Sequence, residues 1–231
     1  DIRVPANAAP TLGGLAIQLD PSLAAVTADG LKYLESNDLA SAEAMVSRFL
    51  PSVASVQAAS AMGLSVDRPA LEARVAADVQ RLYTAQNPDG GWGWWQGEAS
   101  NPFLTAYALY GLTLAQRNGF TIASNVVERA QNYLTQALAA PPDTGTRGAL
   151  SQRAFALYAL AESGRPDVAK SVALYSIRDQ MSLYGQAYLL LALDKADATG
   201  QAQRIQAIAR TLADNVKAGP TGAHWEEDIP N

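Results

Sequence analysis

The chain has 231 residues, 48% hydrophobic and 17% charged, with a net charge of −5 and no cysteine. That balance describes a globular chain with a sizeable core and excludes a disordered one. It also excludes disulfides, thiolate catalysis and cysteine-bearing zinc sites, and the lack of any basic run leaves no stripe for nucleic acid or an anionic membrane surface.

Residues 1–20 differ from the rest. Ile2, Val4, Leu15, Ile17 and Leu19 alternate with other residues at the period of an extended strand, with proline and glycine between them. They are read as a linker or strand whose partner is a neighbouring domain. From Asp20 onward the pattern is helix after helix. Asp20-Pro21 and Asn101-Pro102 each place a capping residue before a proline at the first helical position, and Asp67 opens another helix. Gly119, Gly164, Gly200 and Gly219 follow apolar periodic runs, where a terminal cap favours positive φ. Helices are therefore expected at 21–36, 39–61, 68–86, 102–118, 123–139, 149–163, 166–178, 180–199 and 201–218. No 18-residue apolar run exists, so no direct membrane insertion is expected. The chain starts at Asp1 without a methionine or signal pattern and ends on Asp228-Ile-Pro-Asn231, as expected of a segment of something larger.

Three segments share one pattern: Ala106-Tyr-Ala-Leu-Tyr-Gly-Leu112, Ala154-Phe-Ala-Leu-Tyr-Ala-Leu160 and Ala187-Tyr-Leu-Leu-Leu-Ala-Leu193. An aromatic and a leucine three apart share a helical face, and the small residue lets a neighbouring helix approach closely. Helix hairpins repeated in this way bury their faces by stacking, either as an open solenoid or as a closed α/α toroid. The apolar helices and the irregular spacing favour the toroid. The expected fold class is all-α: an α/α toroid, or helix-hairpin barrel, over residues 21–231, truncated before its last helices, with a short N-terminal extended segment.

The stretch Gln86-Asn-Pro-Asp-Gly-Gly-Trp-Gly-Trp-Trp95 holds three of the four tryptophans. It is either a platform on which a ligand stacks or a clasp that pins a loop to the helices. Gln86, Asp89, Gly90, Gly91, Trp92 and Gly93 resemble the loop motif of squalene and terpene cyclases and of prenyltransferase β subunits. Those enzymes need an acidic proton donor or an Asp, Cys and His zinc triad, and neither pattern is present. An α/α-toroid enzyme acting on an isoprenoid or glycan is the alternative reading.

A resemblance covering nearly the whole chain is to the thioester domain of the alpha-2-macroglobulin and complement family, its bacterial members above all. Val4-Pro5 with Gly14-Leu-Ala-Ile17 looks like the family's entry strand, and Leu31-Lys-Tyr-Leu34 like its first helix. The Gln86–Trp94 loop followed by Leu104-Thr-Ala-Tyr-Ala-Leu109 is the most specific part of the match. Ala223-His-Trp-Glu226 resembles a tryptophan-containing turn that precedes the family's last helices. At the thioester, bacterial members read close to Gly-Cys-Thr-Glu-Gln-Thr-Met-Ser-Arg-Phe-Leu-Pro. This chain reads Ala40-Ser-Ala-Glu-Ala-Met-Val-Ser-Arg-Phe-Leu-Pro51. The alignment puts Ser41 at the cysteine position, keeps Glu43, and puts Ala44 at the glutamine position.

A thioester needs a thiolate and, three residues on, a carboxamide carbon. Ser41 offers a hydroxyl that stays protonated without a general base, and Ala44 offers no carbonyl. No catalytic residue, metal ligand or cofactor is expected. The resemblance implies a broad-spectrum endopeptidase inhibitor that traps proteases, here without covalent capture. It also implies an extracytoplasmic location and a monomer, with other domains of the same macroglobulin chain and noncovalently held proteases as partners. Glu43 is read as framework, His224 as a surface or turn residue, and the acidic run Glu226-Glu227-Asp228 as solvent-facing. The aromatics Tyr107, Phe155 and Tyr188 are read as core. Pro88-Asp89-Gly90 turns the Gln86 loop, which favours the clasp: Trp92 folded over helix ends, with Trp94 or Trp95 partly exposed.

Overall fold

A computed structural model describes residues 41–61, 68–142, 145–220 and 222–227. The expected strands near Val4 and Gly14–Leu19, the helix at 21–36, the Asp67 cap and the tail from Asp228 lie outside the described residues. Those described form eight α-helices, one short 3-10 turn and one two-stranded hairpin, an all-α fold. The helices are α1 (Ala42–Ala61), α2 (Arg68–Ala85), α3 (Pro102–Arg117), α4 (Ser124–Ala137), α5 (Arg147–Glu162), α6 (Val168–Tyr175), α7 (Leu183–Asp197) and α8 (Ala202–Asp214).

Side-chain caps set most of the starts. Asn101 Oδ1 accepts the backbone N–H groups of Phe103 and Leu104 at 2.9 and 3.2 Å, with Pro102 where its missing N–H costs nothing. Thr146, Asp167 and Ser182 cap α5, α6 and α7 in the same way. The Thr146 cap starts α5 at Arg147, two residues earlier than expected. Gly119 and Gly164 end α3 and α5 with φ of +86° and +88°.

The last two expected glycine caps are not caps. Gly200 sits in a turn where its N–H meets the Asp197 carboxylate, 2.9 Å away. Gly219 lies in a strand: α8 stops at Asp214, and β1 (Lys217–Gly219) pairs antiparallel with β2 (Gly222–His224). Pro220 cannot continue a helix, and Asn215, Gly219 and Gly222 supply the bends. The Trp225 indole then donates to the Leu212 carbonyl at 2.8 Å and ties the hairpin to α8. The helix expected at 166–178 is likewise shorter, ending at Tyr175 before the 3-10 turn Arg178–Gln180.

Alternate helices pack as two rows. The inner row runs α1, α3, α5, α7; α2 packs on α1, α4 on α3, α6 on α5 and α7, and α8 on α7. This is the hairpin stacking common to a solenoid and a toroid. The shared pattern explains the inner row. Its small residues Gly111, Ala159 and Ala192 are all buried, as are Leu112, Leu160 and Leu193. A Cβ on Gly111 would lie 2.8 Å from Val46 Cγ1 and 3.1 Å from Phe49 Cζ, so α1 and α3 touch through a missing methyl. At α5 and α7 the same role falls to Gly185, whose Cβ would sit 2.7 Å from Ser151 Cβ.

Aromatic rings continue across the row. Phe155 is buried, 4.9 Å from Tyr188 and 5.8 Å from Phe103 between ring centres, and Tyr158 bridges Tyr110 and Tyr188. Tyr107 and Tyr188, expected in the core, are half-buried and pack against it. Burial pushes the phenols of Tyr110, Tyr158 and Tyr188 above their ordinary value. At the far end of the row the buried Glu162 carboxylate joins Arg117 of α3 to Lys195 of α7.

Replacing Gly111 by Leu should therefore lower stability by about 2 kcal/mol or more, because overpacking outweighs the helix-propensity gain. Gly148→Ala, with open space around the added methyl, should leave it unchanged or slightly raised; urea unfolding reads both. In the hairpin, hydrogen bonds from Lys217 and His224 hold the Glu226 carboxyl down at about 2. The contribution of this pairing is whole above the ordinary carboxylate range and is lost progressively as pH falls from that range to about 2. A carbon-detected NMR titration in which Glu226 protonates near its ordinary value would show the pairing absent.

Candidate functional site

α1 opens on the turn Ser41–Ala44. Ser41 Oγ accepts the Ala44 N–H at 3.1 Å and the Ser41 carbonyl accepts from Met45 N at 3.0 Å, the geometry of a helix N-cap. Ser41 and Ala44 are both buried. Glu43 points the other way: its Oε1 accepts the Ser47 hydroxyl at 2.7 Å, and Ser47 Oγ lies 3.1 Å from the Tyr107 hydroxyl of α3. A serine bonded to a carboxylate one helical turn away is an ordinary helix contact, with no imidazole to take its proton. One turn further, buried Arg48 pairs with Asp78 of α2 at 2.9 Å.

The Gln86–Trp95 loop lies over this turn. The Ala42 N–H, which no helical carbonyl can reach, donates to the Trp94 carbonyl at 3.2 Å. Trp92 is the anchor. It is 0% exposed; its indole donates to Leu82 O at 2.8 Å, its N–H to Thr105 Oγ1 at 3.0 Å, and its carbonyl accepts from Asn101 N at 2.8 Å. Trp94 and Trp95 remain 48% and 50% exposed.

Each marker residue of the loop has a local task. Gln86 Nε2 reaches Gly90 O and Val126 O at 2.9 and 3.0 Å. Asp89 Oδ1 accepts from Gly91 N and Ser100 Oγ. Gly90 turns at φ +93°, a conformation a side chain rarely adopts, with the Arg129 backbone filling the space a Cβ would need. Gly91 and Gly93 allow the Ser100 side chain and the Glu98 and Ala99 carbonyls to approach.

Several holding residues carry no signal in the sequence. Asn87 Nδ2 binds Glu98 O and Ser100 Oγ, Arg129 donates to Asn87 O, and the Tyr133 hydroxyl donates to Ser100 O. Thr105 and Tyr133 come from helices 13 and 33 residues from their partners, and only tertiary structure brings them there.

His224 is exposed, with Nε2 2.9 Å from Glu226 Oε1. Glu227, expected to face solvent, is partly buried: its carboxylate accepts the Leu183 N–H at the positive end of α7. Among the described residues no cluster of three or more His, Asp or Glu is placed to hold a metal. Among them, too, no helix is long and apolar enough to cross a membrane.

No protein-family model matches the chain. Over 113 residues, 49% of its length, it is 35% identical to alpha-2-macroglobulin of Thermotoga maritima, and the match spans 7% of that protein. This is homology to a bacterial alpha-2-macroglobulin over a small part of its length. The fold matches alpha-2-macroglobulin structures as well. The native Escherichia coli protein from domain MG7 to its C-terminus gives a TM-score of 0.67 at 20% identity, covering 80% of this chain and 31% of that one. The Salmonella protein reacted with methylamine gives 0.69 at 21% identity, covering 85% and 13%. The trypsin-activated Escherichia coli protein gives 0.63 at 21% identity, covering 74% and 13%.

Trp92→Phe should cost about 2–4 kcal/mol, since it leaves the Leu82 carbonyl without its donor and opens a void. Ala at Trp94 or Trp95 should stay within about 0.5 kcal/mol of the parent. Chemical denaturation measures all three, and equal losses would mean that Trp92 is not the anchor.

Proposed function

We propose that the chain is the thioester-type domain of a bacterial alpha-2-macroglobulin-like protein, a protease trap, and that this domain takes no part in covalent capture. One observation carries the reading. The Ser41–Pro51 segment and the Gln86–Trp95 loop, the two stretches that most resemble that domain, meet through the Ala42–Trp94 hydrogen bond. The side chain of residue 41 lies against the backbone of residue 44, as an internal bond between those positions requires. Ser41 and Ala44 then supply a cap and a methyl where a thiolate and a carboxamide would be needed.

On this reading residues 21–231 are one domain whose inner row is part of an α/α toroid, and residues 1–20 lead in from a neighbour. Glu43 and the Gln86, Asp89, Gly90, Gly91, Trp92 and Gly93 loop are framework. The parent protein would act outside the cytoplasm, present a segment to proteases, and hold them without a bond from this domain. The domain contributes a rigid body and surfaces for its neighbours; it catalyses nothing and needs no cofactor.

Methylamine tests the chemistry. The chain as it stands should incorporate none under conditions where an intact thioester reacts, and incorporation would refute the loss. The double variant S41C/A44Q should regain the bond: the thiolate displaces ammonia from the carboxamide, and methylamine then adds. Intact mass spectrometry reads both steps. A double variant that folds, keeps its ammonia and ignores methylamine would count against a thioester-type scaffold.

A further inference from the structure

Two arginines from different elements converge on one tyrosine ring. Arg178, in the turn that follows α6, holds its guanidinium 4.2 Å from the ring centre of Tyr175. Arg204, in the first turn of α8, holds its own 5.7 Å from the same centre. The two charges are therefore at most about 10 Å apart, within about one screening length at ordinary ionic strength. All three side chains are partly buried, Arg178 to 26% exposure, and Tyr175 packs against the core, so the pair is placed by the body of the fold.

The contacts around the pair use little of its bonding capacity. Arg178 Nη1 donates to the Tyr175 carbonyl at 3.2 Å and closes the end of α6. Its carboxylate contact is long, 3.8 Å to an Asp179 side chain that is 81% exposed. Arg204 Nη1 donates to a neutral group, Gln201 Oε1, at 2.9 Å. Each guanidinium carries five N–H donors in a fork, so several on each remain for a ligand. The ring face attracts both cations but neutralises neither, and like charges this close repel. The start of α8 adds to the same sign, because Gln201 makes no side-chain cap and the positive helix end lies at Arg204. Two forks held in this way match the oxygens of an oxyanion. Without a longer basic run they suit one such group and not a nucleic-acid backbone.

We propose that Arg178 and Arg204 form a binding site for a doubly charged tetrahedral oxyanion, phosphate or sulfate, seated on the two guanidinium groups beside Tyr175. A free inorganic ion and the ester end of a larger molecule both present that chemistry. The site is built on α6 and α8, involves neither Ser41 nor Ala44, and does not depend on the protease-trap reading.

Amide-resolved NMR titration of the full chain tests the site with sulfate, inorganic phosphate and glycerol 3-phosphate, at about pH 7.5, where the phosphates are largely dianions. Ionic strength is held constant with sodium chloride. Sulfate should shift the amides around Tyr175, Arg178 and Arg204 and saturate, at least about tenfold tighter than acetate, the singly charged control. Glycerol 3-phosphate binding at least as tightly as phosphate names an ester group, weaker binding names a free ion, and either supports the site. Arg204→Gln should weaken sulfate by about fivefold or more, with the core amides unmoved. Asp179→Asn, which removes the exposed carboxylate beside Arg178, should tighten it by about twofold or more. Sulfate that binds no tighter than acetate, shifts elsewhere only, full affinity in Arg204→Gln, or no gain in Asp179→Asn would each overturn the proposal.

Discussion

The burial of Trp92 is the constraint on which the upper end of this fold depends. One indole, fully removed from water, is worth several kcal/mol in apolar area alone, about 4–6 by the usual coefficient. It can be buried only if its N–H finds an acceptor, and Leu82 at the end of α2 supplies one. Its backbone is fixed by Thr105 and Asn101 at the start of α3. Two helices and a ten-residue loop are thus located by one side chain. The next residues are then obliged to pass over α1, where Trp94 offers the carbonyl that Ala42 needs. The loop's glycines follow from this path, since Gly90, Gly91 and Gly93 each run against a backbone or side chain that a Cβ would strike.

Below that end the inner row is held by proximity, with few polar ties. Gly111 and Gly185 let neighbouring helices approach to contact, and the aromatic rings fill the wider gaps between α3, α5 and α7. The Arg48–Asp78 pair ties α1 to α2, and the buried Glu162 carboxylate ties α5 to α3 and α7, so their geometry fixes register more than it adds stability. A body built this way changes shape poorly. It suits a part that must carry a turn, here Ser41–Ala44, in a fixed relation to a loop.

The local rules were readable from the residues because they act over short spans. Helix periodicity, the Asn101-Pro102 start and the stops at Gly119 and Gly164 all act within a turn or two. The hairpin was not readable: Gly219 after an apolar run looks like a helix stop, and only Pro220, Gly222 and the reach of Trp225 back to Leu212 make it a strand. Glu227 looked like one more exposed acid because its partner, the Leu183 N–H, lies 44 residues away. At the candidate site the motif residues were legible, whereas Arg129, Tyr133 and Thr105 act from other helices.

The turn at Ser41 shows how reactivity and stability compete for the same two positions. A serine before a helix accepts the N–H three residues on, and this capping is worth about 1 kcal/mol relative to a residue that cannot accept. A thiol is a weak acceptor and caps poorly. Alanine at residue 44 is the residue most favourable to a helical first turn, and glutamine is slightly less so. A reactive pair would also need its acyl carbon held off the axis of the helix it begins. On the proposed reading, the exchange of thiol and carboxamide for hydroxyl and methyl removes that demand. The loop stays because it answers to Trp92 and to the Ala42 N–H, which are indifferent to what residues 41 and 44 can react with. Loss of the chemistry therefore leaves the architecture without a reason to change.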